Sequence, residues 1–291
     1  MSWSIQAVGT GSAFNTKDFQ SNFLIEGMSG KKMLIDLGGF GPIALEELGI
    51  NGGNVGEKID AIYVSHLHGD HVGGIEWLAF CTYFNPTVPK PKLYCIGGQN
   101  GLMTQLWNKS LRGGLGSVEG KECTLTDYFE GHPLRVNETF EWDGLRFQPV
   151  QTIHVMNGME IVPSYGLLIH SRGDVEVYQK HSYELFLTTD TQFCPNQIEK
   201  FYDMADVIMH DCETASFHSK VHAHYDDLNT LPEDTRAKMW LYHYQPNPPY
   251  DAVEDGFLGF MERGQKITWM EDHTMDICWA DSSEELAKVS D

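Results

Sequence analysis

The chain has 291 residues, 41% of them hydrophobic, enough to bury a large core and ordinary for a globular protein. Its formal net charge is −21, and its 20 Lys and Arg form no block; such a surface repels long polyanions and argues against nucleic-acid binding, which relies on basic footprints. The opening residues Met1 to Gln6 carry no basic n-region, and no apolar run is long enough to span a bilayer, so a cytoplasmic protein without leader or membrane span is expected.

In chain order, Val8-Gly9-Thr10-Gly11-Ser12 only superficially resembles a phosphate loop. It lacks the G-K-[ST] ending and reads as a strand followed by a tight turn. Met33 to Asp36 is an apolar strand closed by an acid. Pro42 to Leu48 is a helix with proline near its start and Gly49 at its end. Ile59 to Ser65 is a buried strand that runs into His66-Leu67-His68-Gly69-Asp70-His71, and Val72 to Phe80 follows as a helix apolar on most sides. The segment 108–130 has little periodicity and reads as a long loop or lid. Phe147 to Ile153 is a strand that ends at His154, and a hairpin is expected around Arg172-Gly173-Asp174. Leu185 to Asp190, Val207 to Asp211 and Met239 to His243 are further apolar strands ending in Asp or His, with short helices at Pro195 to Tyr202 and Asp226 to Leu231 between them. Strands ending in potential ligands in both halves suggest two sheets whose ends converge on one cleft. No linker or low-complexity stretch interrupts the chain, so one domain, 1–291, is expected. Its cysteines (Cys81, Cys95, Cys123, Cys194, Cys212, Cys278) are scattered with no C-x-x-C pair, which fits small buried hydrophobes in a reducing compartment rather than a zinc ribbon.

The run from His66 to His71 is the densest chemical signal. It packs His66, His68, Asp70 and His71 behind a buried strand, a set costly to desolvate without a metal. Four donors exceed what one tetrahedral ion needs, which suggests two divalent ions side by side, zinc first, with manganese or iron also accepted. By position, His154 is a third nitrogen for an ion on His66 and His68. His243 joins Asp70 and His71 on a second ion, and Asp190 bridges the two. Water bound to such ions ionises near neutral pH, which makes a nucleophile without a side-chain base. His132, His170, His181, His218 and His273 read as surface or satisfied core residues.

These residues resemble the metallo-β-lactamase superfamily in its phosphodiesterase branch: Asp36 in Leu34-Ile35-Asp36-Leu37-Gly38-Gly39, the H-x-H-x-D-H run, His154, Asp190 in Thr188-Thr189-Asp190-Thr191, and His243. The resemblance implies an α/β fold, a four-layer αβ/βα sandwich of two mixed sheets with helices outside and metals at one edge, with Asp36 orienting ligands. The segments His210-Asp211-Cys212-Glu213-Thr214 and His222-Ala223-His224 are similar to the "H-E-A-T … H-S-T" region of the tRNA 3′-processing and cyclic-nucleotide phosphodiesterase group. There a histidine protonates the leaving oxygen with an acidic partner, which implies His222 as general acid, His224 as the competing choice, and Glu213 as partner. Asp70 is expected in catalysis as well as in ligation. The tRNA-processing enzymes carry a long arm between the third-motif histidine and the bridging aspartate or an equivalent tRNA-gripping exosite. The short stretch 155–189 has no room for a basic, Gly/Pro-rich arm.

The chain therefore looks most like small cyclic-nucleotide phosphodiesterases of the phage anti-defence (anti-Pycsar) type, which degrade cyclic mononucleotide signals. That resemblance implies a two-metal hydrolase of 3′,5′-cyclic mononucleotides acting in a host cytoplasm. It also implies a homodimer, with segment 108–130 as a candidate for a loop near the partner's site, and Tyr165 or Phe193 stacking on the base. The alternatives are a tRNA 3′-processing-type endoribonuclease, or a thioester or lactone hydrolase on the same scaffold.

Overall fold

The structure, a computed structural model, describes residues 2–136, 138–171, 183–270 and 274–279. Its strands, in chain order, are β1 (Trp3–Gly9), β2 (Asn22–Glu26), β3 (Lys32–Ile35), β4 (Ala61–Tyr63), β5 (Lys92–Ile96), β6 (Ser117–Val118), β7 (Lys121–Glu122), β8 (Glu130–Leu134), β9 (Phe140–Trp142), β10 (Leu145–Asn157), β11 (Glu160–Ser171), β12 (Tyr183–Leu187), β13 (Ala205–Asp211), β14 (Met239–Tyr242), β15 (Gly259–Phe260), β16 (Gln265–Trp269) and β17 (Met275–Trp279). One sheet of eight runs β17-β16-β1-β2-β3-β4-β5-β8, and a second of seven runs β15-β14-β13-β12-β11-β10-β9.

The period-2 alternation of side chains explains how the sheets are joined. Ile5, Ile25, Met33, Ile35 and Tyr63 of the first sheet and Phe147, Leu167, Leu185, Leu187, Val207 and Met209 of the second form one apolar layer between them. Phe23 of β2 meets Tyr242 of β14 edge-on across it at 5.0 Å. The alternate residues point outward and are covered by helices. Leu34, Ile62 and Leu93 pack with Leu45, Ile75 and Leu78 from helices Gly41–Glu47 and Ile75–Tyr83. Phe186, Ile208 and Leu241 pack with Ile198 and Tyr202 from helix Pro195–Met204. Burial on both faces is why these strands read as continuous apolar runs rather than as alternating ones. The result is the mixed α/β sandwich expected from the sequence.

Each sheet has a parallel half, β3-β4-β5-β8 in one and β12-β13-β14-β15 in the other. Parallel neighbours finish on the same edge, where open α/β sheets commonly place ligands. Asp36, His66, Asp190, Asp211 and His243 all follow or close these strands. Asp36, Thr189 and His243 there have φ of 61, 51 and 68°. Left-handed backbone at non-glycine residues costs about 1–3 kcal/mol each, and such strain clusters at functional sites.

Three expectations need correcting. Segment 108–130 is not a long loop. Leu102, Leu106, Leu111 and Leu115 bury one face of a helical stretch in which a π-turn, Leu106–Leu111, takes up the five-residue step. Tyr128 is also buried. The irregular spacing hid the helix, and only the short β6–β7 hairpin is left as a loop-like excursion. The helix expected over 72–80 is split into Gly69–Val72 and Ile75–Tyr83. A Cβ on Gly74 would lie 2.5 Å from the carbonyl oxygen of Gly38, so the close approach of the Gly38-Gly39 turn requires glycine there. Finally, β10 does not end at His154. It continues to Asn157, with the register to β11 shifting between Ile153 and Val155, so His154 sits on a bulge. The hairpin expected around Arg172 lies outside the described residues, as do His181 and His273. No described helix is long and apolar enough to cross a membrane.

Candidate metal centre

The run His66 to His71 turns sharply from β4 into the one-turn helix Gly69–Val72, which aims its ligand-type side chains at one point. His154 is turned inward by the bulge in β10, a common device for re-aiming a side chain. Asp190 and His243 follow β12 and β14. Two groups of donor atoms result, each within 4.8 Å of one another: His66, His68, His154 and Asp190, and Asp70, His71, His243 and Asp190.

In the first group, His68 Nδ1 lies 3.0 Å from both His66 Nε2 and His154 Nε2. Asp190 Oδ2 stands 3.7 and 3.6 Å from those two Nε2 atoms. In the second, His71 Nε2 lies 3.4 Å from Asp70 Oδ2 and 3.3 Å from Asp190 Oδ1. His243 Nε2 lies 3.4 Å from Asp70 Oδ2 and 3.5 Å from Asp190 Oδ2. The Asp190 carboxylate therefore stands between the groups, where one oxygen can serve each.

The outer ring nitrogens show what the inner ones carry. His71 Nδ1 donates to Asp36 Oδ2 at 2.8 Å, and His154 Nδ1 donates to the Val221 carbonyl at 2.6 Å. Ser65 Oγ donates to Asp36 Oδ2 at 2.6 Å and thus receives His66 Nδ1 at 3.0 Å. Each fixed tautomer leaves a lone pair on Nε2, turned inward. His68 Nδ1 can donate to only one of the two Nε2 atoms 3.0 Å from it, so at least one pair of lone pairs faces and repels unless a cation lies between them. His71 Nε2 and Asp190 Oδ1 are also buried without a hydrogen-bond partner. The residues fit a divalent cation: His66, His68 and His154 with Asp190 could hold one, and Asp70, His71 and His243 with Asp190 could hold one.

Burial disfavours charge on His71, but the Asp190, Asp70 and Asp36 carboxylates outweigh it and push His71 well up, so its Nε2 takes a proton wherever no cation is bound. Burial would push Asp70 and Asp190 up, but His71 beside Asp70, and His243 and His71 beside Asp190, hold both carboxyls below the usual range and thus ionised. Burial, together with the charge of His71, pushes His66 down, so it stays neutral and able to ligate.

The profile of the family described as Anti-Pycsar protein Apyc1 matches residues 3–267. The chain belongs to this Apyc1 family. An Anti-Pycsar protein Apyc1 of Bacillus phage vB_BveM-Goe7 is 31% identical over 276 residues, spanning 89% of this chain and 96% of the relative. Another, of Paenibacillus xerothermodurans, is 34% identical over 277 residues, spanning 93% and 99%. Among solved structures, the metallo-beta-lactamase fold protein YhfI from Bacillus subtilis matches with a TM-score of 0.65 at 15% identity, over 92% of this chain and 99% of that one. The fold is thus the metallo-β-lactamase sandwich.

Of the two histidines weighed as general acid, this Apyc1-family chain brings only His222 to the centre. Its ring stacks on His243 at 4.4 Å and tilts against His154 at 4.9 Å. Its Nδ1 donates to Asp211 Oδ2 at 2.8 Å, which leaves Nε2 to meet a substrate. Burial disfavours its charge, but the Asp211 carboxylate outweighs burial and lifts His222 to about 9. His224 points elsewhere. It caps helix Tyr225–Leu228 by accepting from the Asp226 amide, donates Nε2 to the Ala215 carbonyl, and stacks on His218 at 3.8 Å. Glu213 is not the partner of His222: its Oε2 accepts from the Ser219 amide at 2.8 Å. The partner is Asp211, the last residue of β13, because Glu213 lies past the strand end.

Asp211 mirrors Asp36 across the sandwich. It also accepts from the Thr191 amide at 2.8 Å and faces His243 Nδ1 at 3.5 Å. Strand-end position points to it, since Val207 to Asp211 ends in an acid as Met33 to Asp36 does, whereas Glu213 lies two residues further on. Gln192 was not foreseen either. Its amide and its side chain clamp the carbonyls of Ile153 and His154 at 2.6 and 2.7 Å and brace the bulge. Of the two rings expected to stack on the base, Tyr165 is buried in the core behind the histidine run, and Phe193 is half-buried against the core that includes Phe186 and Tyr202.

Proposed function

We propose that this chain is a binuclear metal-dependent phosphodiesterase that opens small 3′,5′-cyclic nucleotides, and so suppresses host cyclic-nucleotide immune signalling. The observation that carries the reading is the pairing of two donor groups sharing Asp190 with a hydrogen-bonded His222–Asp211 dyad on the same edge. Divalent cations bound there would supply Lewis acidity and would activate a water for attack. The chain's own residues do the rest. Asp190 keeps the two groups in register, Asp36 and Ser65 hold the tautomers of His71 and His66, and Asp211 holds His222 with Nε2 outward. As the oxygen of a water bonds to phosphorus and the P–O bond to the ribose oxygen breaks, His222 gives that leaving oxygen its proton, the task of a general acid. Asp211 stabilises the charged ring beforehand and keeps it from turning.

Membership of a family named anti-Pycsar, and the resemblance to enzymes that degrade cyclic mononucleotide signals, support a cyclic-nucleotide substrate. The charge of −21 supports a small substrate over tRNA. An acyl substrate, with its easier leaving group, has less need of the His222–Asp211 dyad. In the same reading zinc is the first candidate metal, and the enzyme works in the cytoplasm as a homodimer. Metal analysis with a cyclic-nucleotide panel tests the proposal: two ions per chain and linear monophosphate products are expected. A metal-loaded protein that spares cyclic nucleotides but cleaves linear RNA or a thioester would overturn it.

A further inference from the structure

One feature beside the centre has no part in the chemistry above. β10 and β11 remain paired out to Asn157 and Glu160, whereas among the described residues β12 pairs β11 at Leu167–Ile169 and β9 pairs β10 at Leu145–Phe147. Gln192 braces the pair at Ile153 and His154, and the Val221 carbonyl holds the His154 ring. Beyond them residues 155–162 overhang the edge on which Asp190, Asp211 and His243 lie, because β10 runs in the same direction as β12. The overhang turns tightly at Gly158, whose φ is 65°.

Its side chains are unusual for a protein of this charge. Met156 and Ile161 face each other across the pair and are 47% and 41% exposed, and Met159 at the tip is 98% exposed. A cross-strand pair shares one face of a hairpin, so Met156 and Ile161 form a continuous apolar surface. That surface starts two residues, roughly 7 Å, from His154. A cyclic nucleotide with its phosphate at the donor groups and His222 has one large apolar part, the base. Of the aromatic rings first expected to receive the base, Tyr165 is buried in the core and Phe193 is half-buried against it.

We propose that Met156 and Ile161, with Met159 at the tip, form the base-holding wall of the site. Their thioether and aliphatic groups contact the face of the base while the phosphate is held at the centre. Methionine suits this task because its sulfur makes favourable contacts with aromatic rings and its chain adapts in shape. The inference rests on the cyclic-nucleotide reading, and its test separates the two.

The test compares wild type with the double variant Met156→Ser, Ile161→Ser, metal-loaded. Its substrates are a 3′,5′-cyclic nucleotide and the base-free six-membered cyclic phosphodiester of propane-1,3-diol. The expected result is a KM for the nucleotide raised about tenfold, equivalent to about 1.4 kcal/mol, with kcat within twofold. The base-free diester should change less than twofold. Met156→Leu, which keeps an apolar group, should restore the nucleotide KM in the Ile161 background. Equal behaviour of wild type and double variant toward the nucleotide overturns the inference and leaves the phosphodiesterase reading standing. Failure of wild type on both substrates overturns that reading and this inference with it. A change of oligomeric state in the double variant, seen by size-exclusion chromatography with light scattering, also overturns it, because the wall would then be a contact between copies. The three side chains lie on an exposed hairpin, and a thermal melt checks that the variants fold.

Discussion

Replacing Asp36 with asparagine probes a buried support of the centre. Asp36 touches no substrate and is not in either donor group around Asp190. It accepts from the Ser65 amide at 2.8 Å through Oδ1, and from Ser65 Oγ at 2.6 Å and His71 Nδ1 at 2.8 Å through Oδ2. Asparagine keeps the shape and tolerates the left-handed φ of 61°, so the backbone need not change. With its oxygen retained by the Ser65 amide, its NH2 occupies the place of Oδ2 and can only donate. His71 Nδ1 must then accept, which puts the proton on Nε2 and removes the lone pair needed for ligation. Through Ser65 Oγ the same reversal reaches His66 in the other group. Partners of this kind typically alter metal affinity by 10–100-fold, about 1.4–2.7 kcal/mol, and both ions should weaken together. Equilibrium dialysis against a buffered zinc or manganese series, read by elemental analysis, measures this, with circular dichroism to check folding. A folded Asp36→Asn variant that binds two ions with wild-type affinity would refute the tautomer reasoning.

Other consequences are equally direct. Asp190→Ala should lose both ions and activity, read by metal content and by hydrolysis of bis(p-nitrophenyl) phosphate; retention of two ions would remove Asp190 from its bridging place. His222→Ala should keep both ions and lose about 10²–10⁴-fold in rate, whereas His224→Ala should keep its rate and lose about 1 kcal/mol of stability as a cap is removed. The reverse pattern would reassign the acid. Asp211 raises the His222 pKa, so Asp211→Asn lowers it, and the high-pH fall in kcat, where the acid loses its proton, should move to lower pH; an unmoved limb contradicts the dyad. Leu111→Ala should destabilise by about 2–5 kcal/mol without altering metal content, as a buried core residue does and a loop residue does not.

Much of the centre was legible because ligand chemistry leaves a dense local signature. His66, His68, Asp70 and His71 sit in one short run, and Asp190 and His243 follow apolar strands that are hard to misread. What escaped depends on backbone geometry that composition does not encode. A bulge, not a strand end, turns His154 inward. Two positions of register separate Asp211, which holds His222, from Glu213, which does not. The buried stretch around Leu111 was hidden because a π-turn breaks the 3.6-residue period by which helices are recognised.

Product analysis with metal-loaded wild type and Asp190→Ala, incubated side by side with a 3′,5′-cyclic nucleotide and followed by 31P NMR, goes most directly to the proposed activity. If two cations and the His222–Asp211 dyad open the ring, wild type converts the cyclic phosphate signal to that of a linear monophosphate and Asp190→Ala leaves it unchanged. A cyclic signal that persists with wild type carrying both cations, or that disappears equally fast with Asp190→Ala, contradicts it.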